Sequence, residues 1–176
     1  MRQRLSLKGR ALQWLAQREH SRLEMRRKLM QQARAEAQAA ALLGHSRGDS
    51  GGVTERTQES LEGEVDALLD WLQAQRYLSE ERFAESRVHA RSSRFGNLRI
   101  RQELQQHGLG LSPEMSADLR HSERERAADV RQRKFGDSPV TAAEKARQAR
   151  FLAGRGFSAE VIWQVLRELG SAGTDG

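Results

Sequence analysis

The sequence predicts an all-α protein made of three consecutive groups of three helices, and three observations support this fold class. Apolar residues recur at every third or fourth position through most of the chain. No segment shows the alternation of β-branched residues that is typical of strands. Residues that cap helices, mainly Ser, Thr and Gly, separate the periodic segments, and the 176 residues include only two prolines.

The composition favours several thin helical layers over one thick core, because hydrophobic residues make up 37% of the chain and aromatic residues only 5%. The absence of Cys excludes disulfides and thiolate metal sites. The 30 basic and 24 acidic residues give a net charge of +6, which favours a polyanionic or acidic partner. No apolar run approaches the ~18 residues of a membrane span. Since no signal-type segment is recognisable either, we expect a soluble, cytoplasmic protein without membrane contacts.

The first group of helices is expected over about residues 6–75, after a flexible tail at residues 1–5. The capping box Ser21–Glu24 begins its second helix. A flexible insertion follows at about 33–60. The Ala- and Gln-rich start of this insertion can extend the helix, whereas its Gly-rich part at 44–52 is typical of a loop. The apolar stripes of the first and third helices comprise Leu7, Ala11, Trp14, Leu15, Leu61, Val65, Leu68, Leu69 and Leu72.

The second group is expected over residues 79–121, and Ser79 is the cap of its first helix. A short basic helix follows within Gly96–Gly108, with Asn97 as its expected N-cap and the final glycine as a left-handed stop. Ser112–Pro113 begins the next helix, because Pro suits the first helical position. The expected inward-facing residues are Phe83, Ala84, Val88, Ile100, Leu104, Met115 and Leu119.

The third group is expected over residues 122–170. A charged helix extends from near Ser122 to Phe135, and the capping box Thr141–Glu144 begins the next helix. Residues 171–176 form a polar tail that we expect to be disordered. The stripe of the last helix comprises Val161, Ile162, Val165, Leu166 and Leu169.

The short basic helix recurs in the chain. A shift of 48 residues places Leu104 on Leu152 and Gly108 on Gly156, and a shift of 75 residues in the other direction places Leu104 on Leu29. Chance similarity between short amphipathic helices is the alternative explanation. We favour repeats because the helix stops and caps align together with the Leu residues.

Five segments resemble one known family in their order and spacing: Ser21–Leu29, Tyr77–Ala84, Phe95–Leu104, Arg133–Gly136 and Arg150–Phe157. They are similar to RecX, the family of bacterial regulators of the RecA recombinase, and the resemblance covers about residues 6–169. The chain departs from the family pattern in its long insertion, and in having Ser79 where the family usually has Asp.

The resemblance implies three tandem three-helix repeats, related to helix-turn-helix units, in an elongated and curved arrangement. It also implies a monomer that binds the groove of the RecA–DNA filament and contacts single- and double-stranded DNA weakly or through the filament. Such a protein would suppress the ATPase, strand-exchange and coprotease activities of RecA, and would thereby act in DNA repair, homologous recombination and the SOS response.

The residues themselves favour binding over catalysis. The five histidines are scattered without metal-binding spacing, and the sequence contains no phosphate-binding loop of the GxxxxGK[ST] type. We therefore expect a non-enzyme without a metal or cofactor. Phe83, Phe95, Phe135, Phe151 and Trp163 lie beside helix stripes, and we interpret them as core residues in preference to stacking platforms for bases.

Basic residues recur in each repeat and form the candidate binding surface for RecA or DNA, because Arg pairs with carboxylates and phosphates alike. For any single residue, the alternative is a solvated side chain. Two other functions remain open: a direct DNA-binding regulator of helix-turn-helix type, and a general helical scaffold for protein interactions. The candidate residues are Arg26, Arg27, Lys28, Arg87, Arg91, Arg94, Arg99, Arg101, Arg131, Arg133, Lys134, Lys145, Arg147, Arg150 and Arg155.

Overall fold

The computed structural model describes residues 5–45 and 58–171, and these residues form helices without any strand. The prediction of an all-α fold is therefore confirmed. Residues 1–4 and 172–176 of the expected tails, residues 46–57 of the expected insertion and the side chain of Leu169 lie outside the described residues. The helices are α1 (Leu7–Leu15), α2 (Arg22–His45), α3 (Gln58–Ala74), α4 (Glu80–Ser92), α5 (Asn97–Gln106), α6 (Pro113–Phe135), α7 (Ala142–Gly154) and α8 (Ala159–Ser171).

The chain divides into two compact units, Met1–Phe83 and Ala84–Gly176, so that the boundary falls within α4. The first unit contains α1, α2 and α3, and the second contains the helices from α5 onwards. Within the part of the chain that the structure describes, every helix is too short or too polar to cross a membrane.

The first unit buries the apolar stripes of its three helices against one another. The predicted stripes of α1 and α3 are confirmed, since each of their residues is buried or packs against this core. Residues 33–45 of the expected flexible insertion belong to α2, so this part of the insertion is helical. The Ala- and Gln-rich start of the insertion thus extends the helix, as its composition allows, because Ala33 is buried in the core and Ala37 packs against it.

The second unit contains one long helix where two were expected. We predicted that a new helix begins near Ser122, but α6 continues without a break from Pro113 to Phe135. Its sequence contains no Gly and no Pro after the first position, and Leu119, Ala127 and Val130 are buried along its length. The end of the second predicted repeat and the start of the third therefore share a single helix.

Helices α5 and α7 end in the same way, as the repeat predicts. Gly108 has a φ of 76° and Gly156 a φ of 82°, both in the left-handed region. The backbone N–H after each glycine donates to a leucine carbonyl five positions earlier: Leu109 to Leu104, and Phe157 to Leu152. Leu104 and Leu152 are both fully buried. The shift of 48 residues thus aligns the helix ends in three dimensions as well as in sequence.

Most of the predicted caps are confirmed. Ser79, Ser112 and Thr141 each accept a hydrogen bond from the backbone N–H three residues later, and Glu144 completes the capping box of α7. The prediction for Asn97 is wrong. The N-cap of α5 is Gly96, which has no side chain, and Asn97 is buried one position further on. The free N–H groups at the start of α5 donate instead to the carbonyl of Gly156 and to the carboxylate of Glu123, both in the second unit.

Candidate interaction surface

The backbone of α5 approaches the end of α7 closely. The N–H of Gly96 donates to the carbonyl of Arg155 and the N–H of Leu98 donates to the carbonyl of Gly156, each over 3.0 Å. A methyl group on Gly96 would lie 2.2 Å from the backbone nitrogen of Phe157, and one on Gly156 would lie 2.6 Å from Cβ of Arg99. Only glycine fits at these two positions. We call this contact the Gly96–Gly156 crossing.

A buried carboxylate connects three helices beside the crossing. Glu123 of α6 accepts hydrogen bonds from the N–H of Asn97 at 3.0 Å and from the N–H of Ser158 at 3.3 Å. The hydroxyl of Ser158 donates to the same carboxylate over 3.2 Å. Glu123 therefore supplies the hydrogen-bond acceptor that Gly96 cannot provide at the start of α5. It also accepts from the backbone and side chain of Ser158, the residue before α8.

A second, half-buried side chain completes this polar network. The guanidinium of Arg126 donates to the side-chain oxygen of Asn97 over 2.6 Å, and to the carbonyls of Ser92, Phe95 and Leu119. Burial lowers the pKa of Arg126, and the charge of Glu123 acts in the opposite direction. The end of α4 and the start of α5 are thus both held by α6.

Four of the predicted binding residues converge at the crossing. The guanidinium carbons of Arg91, Arg94, Arg99 and Arg155 lie 5.6, 5.8, 4.7 and 5.6 Å from the centre of the Phe95 ring. These distances are within the range of cation–π attraction. We call these five residues the Phe95 cluster. Arg155 is far from the other three in sequence, and the crossing places it among them.

The Phe95 cluster carries more positive than negative charge. Glu103 pairs with Arg91 at 2.9 Å and with Arg87 at 3.3 Å. Among the described residues, no carboxylate lies within ion-pair distance of Arg94, Arg99 or Arg155, of which the first two are exposed. Their neighbours are backbone carbonyls: Arg155 donates to that of Arg94, and Arg99 to that of Gly154. The cluster can therefore accept an anionic group from outside the chain.

A second basic surface is formed by α7 and the end of α6. Lys134, Lys145, Arg147 and Arg150 are all exposed. Arg147 lies 5.5 Å from the centre of the Phe135 ring. Phe135 in turn packs edge-on against Phe151, with their ring centres 5.2 Å apart. Phe151 packs against the core of the second unit, which agrees with its interpretation as a core residue, and the half-buried Phe135 lies against it beneath the basic surface. The interpretation of Trp163 as a core residue is wrong, because 70% of its surface is exposed.

Arg131 does not lie on an exposed basic surface, and the prediction that it is a binding residue is wrong. Only 2% of its surface is exposed, and it donates to Gln148 over 2.9 Å and to the carbonyls of Gly136 and Asp137. Burial lowers the pKa of Arg131, against the effect of Asp137. The side chain fixes the loop between α6 and α7. Arg133 is exposed, yet it donates to the carbonyl of Ser93 over 2.7 Å.

Two of the three candidate residues of the first unit, Arg26 and Lys28, have partners within the chain. Arg26 forms ion pairs with Asp66 at 2.7 Å and with Glu62 at 3.7 Å, both on α3. Lys28 lies 4.7 Å above the centre of the Trp14 ring, while Arg27 is exposed. Within the second unit, the structure brings four of the fifteen predicted residues together.

Sequence reasoning missed the two residues that organise the cluster, Glu123 and Arg126. Both lie on a helix with charged residues at 11 of its 23 positions, so the charge pattern does not indicate which of these side chains face inward. A weak signal was available, because Glu123 stands four positions before the buried Ala127 and four after the buried Leu119. Among the described residues, no group of three His, Asp or Glu side chains could hold a metal ion.

Comparisons with known proteins agree with the architecture. Residues 79–110 match the family model described as the second three-helix domain of RecX, and residues 122–166 match the third. The chain is 44% identical to the regulatory protein RecX of Ralstonia nicotianae over 168 residues, which cover 94% of this chain and 89% of the relative. For the protein of the same name from Leptothrix cholodnii, the identity is 45% and the coverages are 94% and 90%. The chain is 37% identical to the regulatory protein RecX of Chromobacterium violaceum, and the alignment covers 92% of this chain and 89% of that relative.

Proposed function

Because the chain belongs to the RecX family of regulatory proteins, we propose that it inhibits the RecA recombinase by binding in the groove of the RecA–DNA filament through the Phe95 cluster. It acts by occupying the groove and catalyses no reaction. In this position it suppresses ATP hydrolysis, strand exchange and coprotease activity.

The observation that supports this proposal best is the Phe95 cluster itself. Arg94, Arg99 and Arg155 present guanidinium groups without a carboxylate partner among the described residues. The Gly96–Gly156 crossing and the Glu123 network fix the backbone beneath them. A positioned guanidinium loses less conformational freedom on binding than a free one, so the cluster can bind carboxylates or phosphates at a lower entropic cost.

The exposed residues of α7 extend the contact area. Lys145, Arg147 and Arg150 provide further positive charge in the same unit. We propose that the two basic surfaces contact neighbouring RecA protomers, so that the bound protein hinders the entry of duplex DNA and the movement of subunits that accompanies ATP turnover. Each charge pair is weak on its own, and their sum confers affinity.

The test is RecA ATPase activity on single-stranded DNA, with and without the purified protein, over a range of salt concentrations. We expect inhibition at low salt that weakens as ionic strength rises, since charge pairs at the surface are screened. If the protein leaves ATP hydrolysis unchanged even at low salt, the proposal is wrong. If it inhibits equally at all salt concentrations, the charged surfaces are not the cause of the inhibition.

A second candidate is a regulator that binds DNA directly, and the same cluster is the observation that favours it. Guanidinium groups around an aromatic ring suit a phosphate backbone as well as an acidic protein surface. A gel-shift titration without RecA separates the two functions. Tight, sequence-selective binding to duplex DNA would support this candidate, whereas weak binding without sequence preference would leave the filament as the target.

A further inference from the structure

A groove lies between α7 and α8, and the Phe95 cluster does not include any of its residues. Ala142, Ala146 and Ala149 line it from α7, and Trp163 and Leu166 line it from α8. The three alanines are spaced four and three positions apart, so they share one face of their helix. Because their side chains are short, the backbone of another helix can approach this face closely.

Trp163 forms one wall of the groove and is 70% exposed. The fold does not require an aromatic residue there, because α8 packs on the core through Ile162, Val165 and Leu166. An exposed Trp beside a row of alanines is an apolar surface of the kind that binds a partner, and Trp often contributes a large share of the binding energy at interfaces.

The charges at the groove indicate the chemistry of the partner. Lys145 of α7 and Arg167 of α8 line the groove, and neither forms an ion pair with any residue that the structure describes. Glu160 is the acidic residue in the lining, and it accepts a hydrogen bond from Gln164 over 3.4 Å. The two cations come from opposite walls. A partner with apolar residues in the centre and acidic residues at its edges would therefore complement the groove.

We propose that the α7–α8 groove binds an amphipathic helix of another protein, whose apolar face contacts Trp163 and the alanines and whose acidic residues pair with Lys145 and Arg167. The groove has a volume of about 740 Å³, which accommodates several side chains of such a helix. This binding mode is the insertion of a helix into an apolar groove. It uses none of the residues of the Phe95 cluster, and it shares only Lys145 with the second basic surface.

The test uses the full-length protein and a synthetic probe. The probe is a fluorescently labelled peptide of about 16 residues, long enough to form a helix on binding, with Leu at every third or fourth position and Glu beside each Leu. Binding is followed by fluorescence anisotropy. A second peptide with Lys in place of Glu tests the role of charge. We expect the acidic peptide to bind at least about tenfold more tightly than the basic one.

Two variants on the same helix test the location. Ala146→Glu places a carboxylate in the groove, and we expect it to weaken binding of the acidic peptide at least about tenfold. Ala143→Glu makes the same change at an exposed position of α7 outside the groove, and binding should stay within about twofold. Trp163→Ala should weaken binding, while Trp163→Phe should restore part of it. Circular dichroism verifies that each variant is folded.

Three results would overturn the proposal. The acidic peptide could fail to bind at low salt, or Ala146→Glu and Ala143→Glu could have equal effects. The third is self-association of the wild-type protein that Ala146→Glu abolishes, since a second copy of the chain would then cover the groove. Sedimentation velocity at several protein concentrations tests this last outcome.

Discussion

Arg26 of α2 and Arg101 of α5 occupy equivalent positions in the repeat, 75 residues apart, but they have different neighbours. Arg26 faces α3, where Asp66 and Glu62 neutralise its charge. Arg101 faces α6, where it donates to the uncharged hydroxyl of Ser116 over 3.3 Å. Arg22, also in the first unit, likewise forms an ion pair with a carboxylate of α3, that of Asp70, at 2.8 Å.

Both units contain surface ion pairs, such as that of Glu103 with Arg91 in the second unit, but one carboxylate of the second unit has a different role. In the first unit, Glu62, Asp66 and Asp70 of α3 lie at the surface and pair with arginines of α2. In the second unit, Glu123 is buried and accepts from backbone N–H groups, so it is not paired with the surface arginines. A row of arginines in the sequence therefore does not by itself define a binding surface. The neighbouring helix decides whether the charge is neutralised within the chain or available to a partner.

The largest effect should follow from Gly96→Ala, which removes the special backbone contact of the second unit. Its methyl group would lie 2.2 Å from the backbone nitrogen of Phe157, so the crossing must open. We expect a loss of at least about 3 kcal/mol in the free energy of unfolding of the second unit, at the upper end of the range for overpacking. Hydrogen exchange measured by mass spectrometry should show lost protection in α5 and α8, while α2 and α3 keep theirs.

Gly154→Ala is the matched control for this variant. Gly154 lies two residues from the crossing, at the end of α7, and nothing is within 4 Å of an added methyl group. Alanine is favoured over glycine in a helix, so this change should stabilise the protein by about 0.5–1 kcal/mol. If both substitutions had the same effect, the crossing would not be the contact that holds α5 to the end of α7.

The next effect in size concerns the buried carboxylate. Glu123→Gln keeps the size of the side chain but removes the charge and directs an amide group toward N–H donors. We expect a loss of about 2 kcal/mol, as for other hydrogen bonds to a buried charged group. Glu125→Gln, an exposed position on the same helix, should change the stability by less than about 0.5 kcal/mol. Urea titration measures both, and equal midpoints would show that Glu123 does not hold the helix ends.

The sequence predicts the local features of the fold, but it does not predict the crossing or the hydrogen bonds of Glu123. The apolar stripes, the caps at Ser79, Ser112 and Thr141, and the alignment of Gly108 with Gly156 all follow from local rules that act within a few residues. The structure agrees with each of them. The resemblance to RecX also rested on such short segments, and the comparisons confirm it.

The failures have a common physical cause, because each depends on residues distant in sequence. Asn97 satisfies every local rule for an N-cap, yet Glu123, 26 residues away, accepts the hydrogen bond from its N–H. Arg131 resembles its exposed neighbours in sequence, but the loop after α6 folds over it. The Phe95 cluster could not be predicted, because the periodicity of the sequence does not indicate that Arg155 and Arg99 lie at the same ring across the crossing.

A third prediction compares the two units in function. The double substitution Arg94→Ala and Arg99→Ala removes half of the arginines of the Phe95 cluster. We expect about tenfold more protein to be needed for half-maximal inhibition of the RecA ATPase, since two charge pairs of modest strength are lost. Arg22→Ala with Arg26→Ala should leave the inhibition within about twofold, because their carboxylate partners lie within the chain. Equal losses from both pairs would contradict the distinction between the units.

The smallest effect is a dependence on pH that we expect in the first unit alone. His20 is buried, and its Nδ1 lies 3.2 Å from a carboxylate oxygen of Glu24. Burial lowers the pKa of His20 below its ordinary value of 6.5, while Glu24 acts in the opposite direction. The imidazole is therefore neutral in both the folded and the unfolded protein at higher pH. Below pH 6.5, the unfolded chain binds a proton first, so the free energy of unfolding decreases as the pH falls.

His20→Gln removes this titration, so the stability of the first unit should lose its slope just below pH 6.5. Glu24 does not interfere: burial acts to raise its pKa, but Arg18 and His20 hold that pKa below 4.5, at a lower pH than this range. The second unit is the internal control, because its described histidines are not buried. Hydrogen exchange between pH 5 and pH 7, corrected for the intrinsic exchange rate, reports each unit separately across the range in which His titrates. A slope that persists in the variant would assign the pH dependence to another group.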